Sequence, residues 1–367
     1  MLSVQDYNQR EQECADGLPC RVVEMVNPIT FASEGYPVRI GHERALWRYV
    51  DVMHETRFNG DFVALHDNGL TAQEFDWLKN VARTTCDFSL KAFGRRLTSR
   101  GALLRAMSVF RSIVDVAGPA PLRVFEIGPG SGSLGCLFIQ NGWGYGATDI
   151  AQAFYLLQNR LWDHASNAQL VELALADSRW EGEIATGHPV HFPWWEFFGF
   201  MEGRAPSVDI VTCNHALAEM HPNSLAVTLH VARRMLQGKG LKLFMFEGWG
   251  FEKHNARDKV LECFLKAGFS LVHSDNTITV FAPRDNLADK HSPVLPGGQI
   301  RPHVQSGRAV NLPGNTLTPR IQAARSGRKA QLSVKLDKVD AFYRELVGPD
   351  GLLTADERFL ELIGKTY

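Results

Sequence analysis

The sequence lacks the features that would place it in a membrane, outside the cell or on nucleic acid. It has no run of 18 apolar residues, so no membrane-spanning helix is expected. Its start, MLSVQDYNQREQEC, has neither the basic-then-apolar layout of a signal peptide nor the composition of a transit peptide. The six cysteines (Cys14, Cys20, Cys86, Cys136, Cys213 and Cys263) are scattered and form no Cys-x-x-Cys pair. Cys136 and Cys213 fall inside apolar runs, which suits reduced, buried thiols and a cytoplasmic setting. Charge of either sign is not in excess: 39 Lys and Arg face 40 Asp and Glu, for a net charge of −1. That balance gives no support to a nucleic-acid or membrane-surface partner. Internal repeats are also missing.

What is present is a chain able to build a large core. With 367 residues and 45% hydrophobic content, about two domains, or one with large additions, are expected. Residues 1 to about 40 read as a loosely structured lead-in within an N-terminal helical section, 1–118. Apolar spacings of three and four predict helices over ERALWRYVDVMHETRF and GALLRAMSVFRSIVDVAG. Thr71 with Glu74 three residues on is a capping box that opens another.

From Leu122 the pattern alternates between strand and helix. RVFEI, YGATDI, QLVELALAD, VDIVTCN and LKLFMFEG read as strands. SLGCLFIQNG, AQAFYLLQNRLWDHA, SLAVTLHVARRML and KVLECFLKAG read as helices. This predicts an α/β fold with a doubly wound, mostly parallel, seven-stranded sheet over residues 119–283. FSLVHS and TITVFAP are separated only by Asp275 and Asn276, too few residues for a parallel crossover, so they must pair antiparallel. The Pro- and aromatic-rich stretch HPVHFPWWEFFGFM, with six aromatics, reads as a connection. Its rings either stack on a sugar or pack beside the sheet. Residues 284–330 read as a basic, Pro/Gly-rich loop or linker, a lid over an anionic ligand being the alternative. Residues 283–330 hold eight Lys or Arg against two Asp and lack Phe, Tyr and Trp. Two short helices, over VKLDKVDAFYRELV and TADERFLELI, are expected in 331–367.

The most informative stretch is VFEIGPGSGSLG, Val124–Gly135. Parsed from Gly130 it is a Gly-x-Gly-x-x-Gly dinucleotide fingerprint, with Asp149 about 20 residues on as a ribose-binding acid. Parsed from Glu126 it is an acidic residue followed by Gly128-Pro129-Gly130-Ser131-Gly132. This second parse resembles the first motif of class I S-adenosylmethionine (SAM) methyltransferases. A sulfonium and an α-ammonium make SAM cationic, so a carboxylate at the strand end suits it, while glycines let the backbone approach closely. The resemblance implies a Rossmann-like sheet with a reversed last strand, which the hairpin supplies. It also implies a contact from Asp177 to the adenine amino group, and ribose hydroxyls on Asp149.

The second informative stretch is DIVTCNHALAEMHPNSL. With EIGPGSGSLG and TDIAQAFYLLQNRL it resembles a family of sugar O-methyltransferases that carries Asn-x-x-x-x-Glu-Met after the fourth strand, here Asn214 to Glu219-Met220. The resemblance spans roughly residues 120–250. It implies transfer of the SAM methyl to a hydroxyl of a sugar or glycosylated small molecule. The expected cofactor site is Glu126, Gly128, Gly130, Gly132, Asp149, Asp177 and Asn214. His215 is the expected base and Glu219 its partner or a second acceptor, since a hydroxyl needs help at neutral pH. His221 reads as a turn residue. His188 and His191 do not suffice for a metal, and none is expected. A homo-oligomer is compatible with the sequence. A nicotinamide oxidoreductase and a non-catalytic SAM-fold binding protein remain the alternatives.

Overall fold

The computed structural model describes residues 2–18, 39–50, 69–175, 180, 184–203, 205–250, 256–275, 277–286 and 317–348. The lead-in expected to be loose holds a helix, α1 (Val4–Ala15), opened by a Ser3–Asp6 capping box. It is polar around most of its circumference, so periodicity hides it. What fixes it is docking: Tyr7 lies between the rings of Tyr155 and Trp195 at 5.1 and 5.2 Å, and Trp194 Nε1 donates to Glu11 at 2.7 Å. Glu43–Val50 is a 3₁₀ turn rather than the start of a regular α-helix, and the rest of that expected helix lies outside the described residues.

Helix α2 (Ala72–Phe93) begins at the expected Thr71–Glu74 capping box and ends at left-handed Gly94. Helix α3 (Arg100–Ala117) is capped by Ser99 and stops at Gly118. The two are tied by a buried, bidentate pair in which Arg111 meets both carboxylate oxygens of Glu74 at 2.8 Å.

The sheet then forms as β1 (Arg123–Ile127), β2 (Gly144–Asp149), β3 (Val171–Glu172), β4 (Val190–Pro193), β5 (Ile210–Thr212), β6 (Leu243–Phe246), β7 (Phe269–Ser274) and β8 (Thr279–Pro283). The intervening helices are α4 (Ser133–Gln140), α5 (Gln152–Ala165), α6 (Trp194–Gly199), α7 (Pro222–Met235) and α8 (Arg257–Lys266). Strand order is β3-β4-β2-β1-β5-β6-β8-β7. Every pairing is parallel except those of β8, which runs against both β6 and β7. This is the doubly wound sheet with one reversed strand that the sequence predicts. The chain leaves β1 toward β2 on one side and later returns to β5 on the other, so a crevice opens at the carboxyl ends of β1 and β5.

Four expectations about these elements change. The described sheet has eight strands, not seven, because HPVHFPWWEFFGFM is not a connection. It supplies β4, paired with β2 in the register Gly146↔Val190 to Asp149↔Pro193, and the short helix α6. Two prolines and a histidine disguise β4 as a loop, but the strand is short and its ring Phe192 fits where Gly146 carries no side chain. All six aromatics of the stretch are buried, so they pack the core and offer no platform for a sugar. QLVELALAD is a strand only at Val171–Glu172; there the Glu172 carboxylate accepts the Ala174 N–H at 2.9 Å and the chain turns away.

The β7–β8 connection is longer than the two residues read from the sequence, running from Asp275 to Ile278. Asp275 organises it by accepting the N–H groups of Thr277 and Ile278 at 2.8 and 2.9 Å. The fourth change is in the basic stretch, whose end is a helix, α9 (Leu317–Lys329). Its arginines serve to dock it. Arg328 forms a two-pronged pair with Asp115, and Arg325 reaches Asp275 at 2.6 Å. Helix α10 (Leu336–Val347) forms as expected, and TADERFLELI lies outside the described residues. No described helix is long and apolar enough to cross a membrane.

Candidate cofactor and acceptor site

The glycine-rich loop leaves β1 at the crevice. Gly128, Gly130 and Gly132 have φ of +70°, +57° and +79°, a left-handed run that side-chain-bearing residues enter only at a cost. The loop is anchored at both ends: Gly128 N–H donates to Thr148 O at 2.9 Å, and Trp162 Nε1 donates to Gly132 O at 2.9 Å. Space around the glycines differs. A Cβ at Gly130 would meet no protein atom within 4 Å, whereas at Gly135 it would lie 2.7 Å from both Trp162 and the Tyr145 hydroxyl. Gly130 is therefore glycine for its conformation and for what approaches from outside; Gly135 is glycine so that α4 can close on the sheet.

Asp149 stands at the end of β2 beside this loop. Its Oδ2 accepts from Gln158 Nε2 at 2.8 Å and, at 3.3 Å, from Gly130 N–H; its Oδ1 accepts from Ala151 N–H at 2.9 Å. It does not cap α5, whose N-cap is Ala151 without a side-chain bond. Burial raises its pKa, opposed by these hydrogen bonds. Glu126 is deeper, accepting the Tyr145 hydroxyl at 2.7 Å. Burial, the dominant cause, pushes its pKa up to about 8, so at neutral pH its carboxyl is largely protonated. Asp177 lies outside the described residues.

The segment after β5 faces the loop: a Cβ on Gly128 would come within 3.7 Å of the Ala216 Cβ. Asn214 bridges the ends of β5 and β6, donating to Thr212 Oγ1 at 3.0 Å and accepting the Glu247 N–H at 2.9 Å. His215 is left-handed, with φ of +57°, and its N–H donates to Glu247 O at 3.1 Å. Its ring lies flat against Gly248, where a Cβ would fall 2.1 Å from ring atoms Cε1 and Nδ1. A Cβ at Gly250 would strike His215 O at 2.6 Å and Glu219 Cγ at 3.1 Å. The two glycines flanking Trp249 are thus the bed on which His215 and Glu219 rest, both half-buried. Trp249 itself packs against Phe246 at 4.8 Å. His221 accepts Asn223 N–H at 3.3 Å as the N-cap of α7, the turn role expected of it.

Three residues of this region were not among the expected site residues. Glu247, at the end of β6, accepts from Ser108 at 2.7 Å through Oε1, while its buried Oε2 has no hydrogen-bond partner among the described residues. Burial raises its pKa to about 7. Gln158 and His191 are fully buried behind Asp149. Gln158 carried a signal, a polar residue within the apolar stripe Phe154-Tyr155-Leu161-Trp162 of α5. Among the described residues, no three His, Cys, Asp or Glu side chains converge to hold a metal.

No family model matches the chain and no curated protein matches it. Several solved structures do. A TehB-like SAM-dependent methyltransferase from Corynebacterium glutamicum is 11% identical over 47% of this chain and 87% of its own, with a TM-score of 0.33. A SAM-bound amino pentose methyltransferase from Micromonospora echinaspora is 12% identical over 48% and 89%, with a TM-score of 0.32. A glycopeptide N-methyltransferase is 13% identical over 48% and 88%, with a TM-score of 0.34. Likenesses this slight carry no weight for function, which must come from the site itself.

Proposed function

We propose that this chain is a SAM-dependent O-methyltransferase acting on a hydroxyl of a sugar or glycosylated small molecule. The observation that carries the reading is the crevice at β1 and β5, where three left-handed glycines with open space at Gly130 lie beside a buried carboxylate, Asp149. The reversed β8 next to β6 agrees with the fold that the glycine motif implies.

The residues fit such a cofactor. Asp149 Oδ1 has one acceptor position left for a ribose hydroxyl, and the loop backbone is open for the methionine part. SAM, when bound, supplies an electrophilic methyl group on a sulfonium and leaves as S-adenosylhomocysteine. The chain's task is then alignment and proton removal. Alignment alone contributes up to roughly 7–11 kcal/mol to such a displacement. His215, pressed onto Gly248 across from the loop, takes the acceptor proton, and Glu219, resting on Gly250, orients the ring or a neighbouring hydroxyl. Both residues are half-buried.

The test is to incubate the protein with isotopically labelled SAM and an extract of its native host, then identify labelled products by mass spectrometry. An O-methylated glycoside is expected. A labelled amine or carbon acceptor would overturn the hydroxyl assignment. Binding of SAM with no labelled product from any extract would assign the chain a binding role instead.

A further inference from the structure

Resting on the cofactor reading above, the polar chain behind Asp149 has a use beyond the fold. Gln158 Nε2 donates to Asp149 Oδ2 at 2.8 Å and to Gly130 O at 2.7 Å, so its two amide hydrogens bridge the acid and the glycine loop. Its Oε1 faces His191 Nε2 at 3.2 Å, and His191 Nδ1 faces Glu172 Oε2 at 2.9 Å. Glu172 in turn accepts from Asn159 at 2.8 Å, from Ala174 N–H at 2.9 Å and from the Tyr155 hydroxyl.

The direction of the amide is fixed by its neighbours. Turned over, Gln158 would set its oxygen against two acceptors, Asp149 and Gly130 O. The Gln158 oxygen is left facing His191 Nε2 as its partner in this network. The imidazole cannot swing away: Tyr155 stacks on it at 3.7 Å and 13°, and Trp162 meets it edge-on at 4.9 Å. Glu172 and His191 come from the adjacent strands β3 and β4, of which the sequence disguises the second. Three elements thus converge to hold one amide.

We propose that Gln158 and His191 are positioning residues that set selectivity for the ribose hydroxyls of the cofactor. With Oδ2 held by Gln158, Asp149 cannot rotate, and its remaining acceptor position on Oδ1 points one way. Gly130 is held by the same amide, so the distance between the loop and the acid is constant. A ligand with its hydroxyls in place gains a charge-assisted bond from a carboxylate already oriented; a ligand lacking one gains nothing from that orientation.

The test measures calorimetric affinities for S-adenosylhomocysteine and its 2′-deoxy analogue, with melting temperatures as a check on folding. Wild type should prefer the hydroxylated ligand about tenfold or more. Gln158→Met, close in shape, should weaken S-adenosylhomocysteine about tenfold and the deoxy analogue little, so the preference collapses. His191→Leu should do the same with Gln158 intact, and His191→Gln, which can restore a donor to Gln158, should regain the preference. A wild-type preference retained in both Gln158→Met and His191→Leu overturns the proposal, as does equal weakening of both ligands, the mark of a purely structural role. Wild type binding neither ligand overturns the cofactor reading itself and is told apart by that result.

Discussion

The sharpest consequence of the site geometry concerns Gly248. Its φ of +65° alone makes alanine unfavourable there, by about 1–2 kcal/mol. The added methyl would also sit 2.1 Å from the His215 ring, an overlap that only movement of the ring can relieve. Overpacking of this kind costs about 1–3 kcal/mol, so Gly248→Ala should destabilise by about 2–5 kcal/mol. In a His215→Ala background the ring is gone and only the conformational part remains, about 1–2 kcal/mol. A double-mutant cycle by urea denaturation should therefore give a coupling of about 1–3 kcal/mol between the two positions. The same displacement should lower turnover in Gly248→Ala while leaving SAM affinity near wild type, because the ring moves and the glycine loop does not. Additive effects, within about 0.5 kcal/mol, would refute the claim that Gly248 is the seat of His215.

Other expectations follow from the same contacts. His215→Ala should reduce turnover by about 10²–10⁴-fold with SAM affinity unchanged, read by steady-state kinetics and calorimetry; undiminished turnover removes it from the mechanism. Gly130→Ala should cost only about 1–2 kcal/mol of stability yet abolish measurable SAM binding, since its methyl points into open space. Gly135→Ala should do the reverse in emphasis, destabilising through collision with Trp162 and Tyr145. Glu126 sets a pH dependence: its pKa rises from 4.5 unfolded to about 8 folded, so the folded state holds the proton more tightly. Its contribution to stability is complete below pH 4.5 and is lost as pH climbs to about 8, a swing of about 5 kcal/mol. Glu126→Gln should flatten that part of the profile in denaturation curves at pH 5 and pH 8.5; identical pH slopes in both proteins would contradict the buried-carboxyl account.

The parts of the fold legible in the sequence are those where the local pattern and the tertiary environment agree. RVFEI, YGATDI and LKLFMFEG are apolar because they are buried on both faces, and the capping box at Thr71 is a local signal that tertiary structure keeps. Elements escape when long-range contacts supply what the local pattern lacks. Helix α1 has few apolar residues and depends on Trp194 and Asn159. Strand β4 carries proline at its end and is recruited by β2. Helix α9 looks like a basic linker until Asp115 and Asp275 receive its arginines.

The site divides in the same way. The glycine loop and Asp149 are legible because a motif fixes their spacing. The amide of Gln158 and the ring of His191 lie 33 residues apart and meet only through packing. The purpose of the glycines around Trp249, a flat bed for His215, exists only in three dimensions.

The central claim is that the crevice beside Gly130 and Asp149 takes SAM. Calorimetric titration of the purified protein with SAM and, separately, with NADH tests it most directly. The account predicts saturable one-to-one binding of SAM and none of NADH, with the SAM signal lost in Gly130→Ala. Binding of NADH alone would contradict it and return the glycine loop to a dinucleotide.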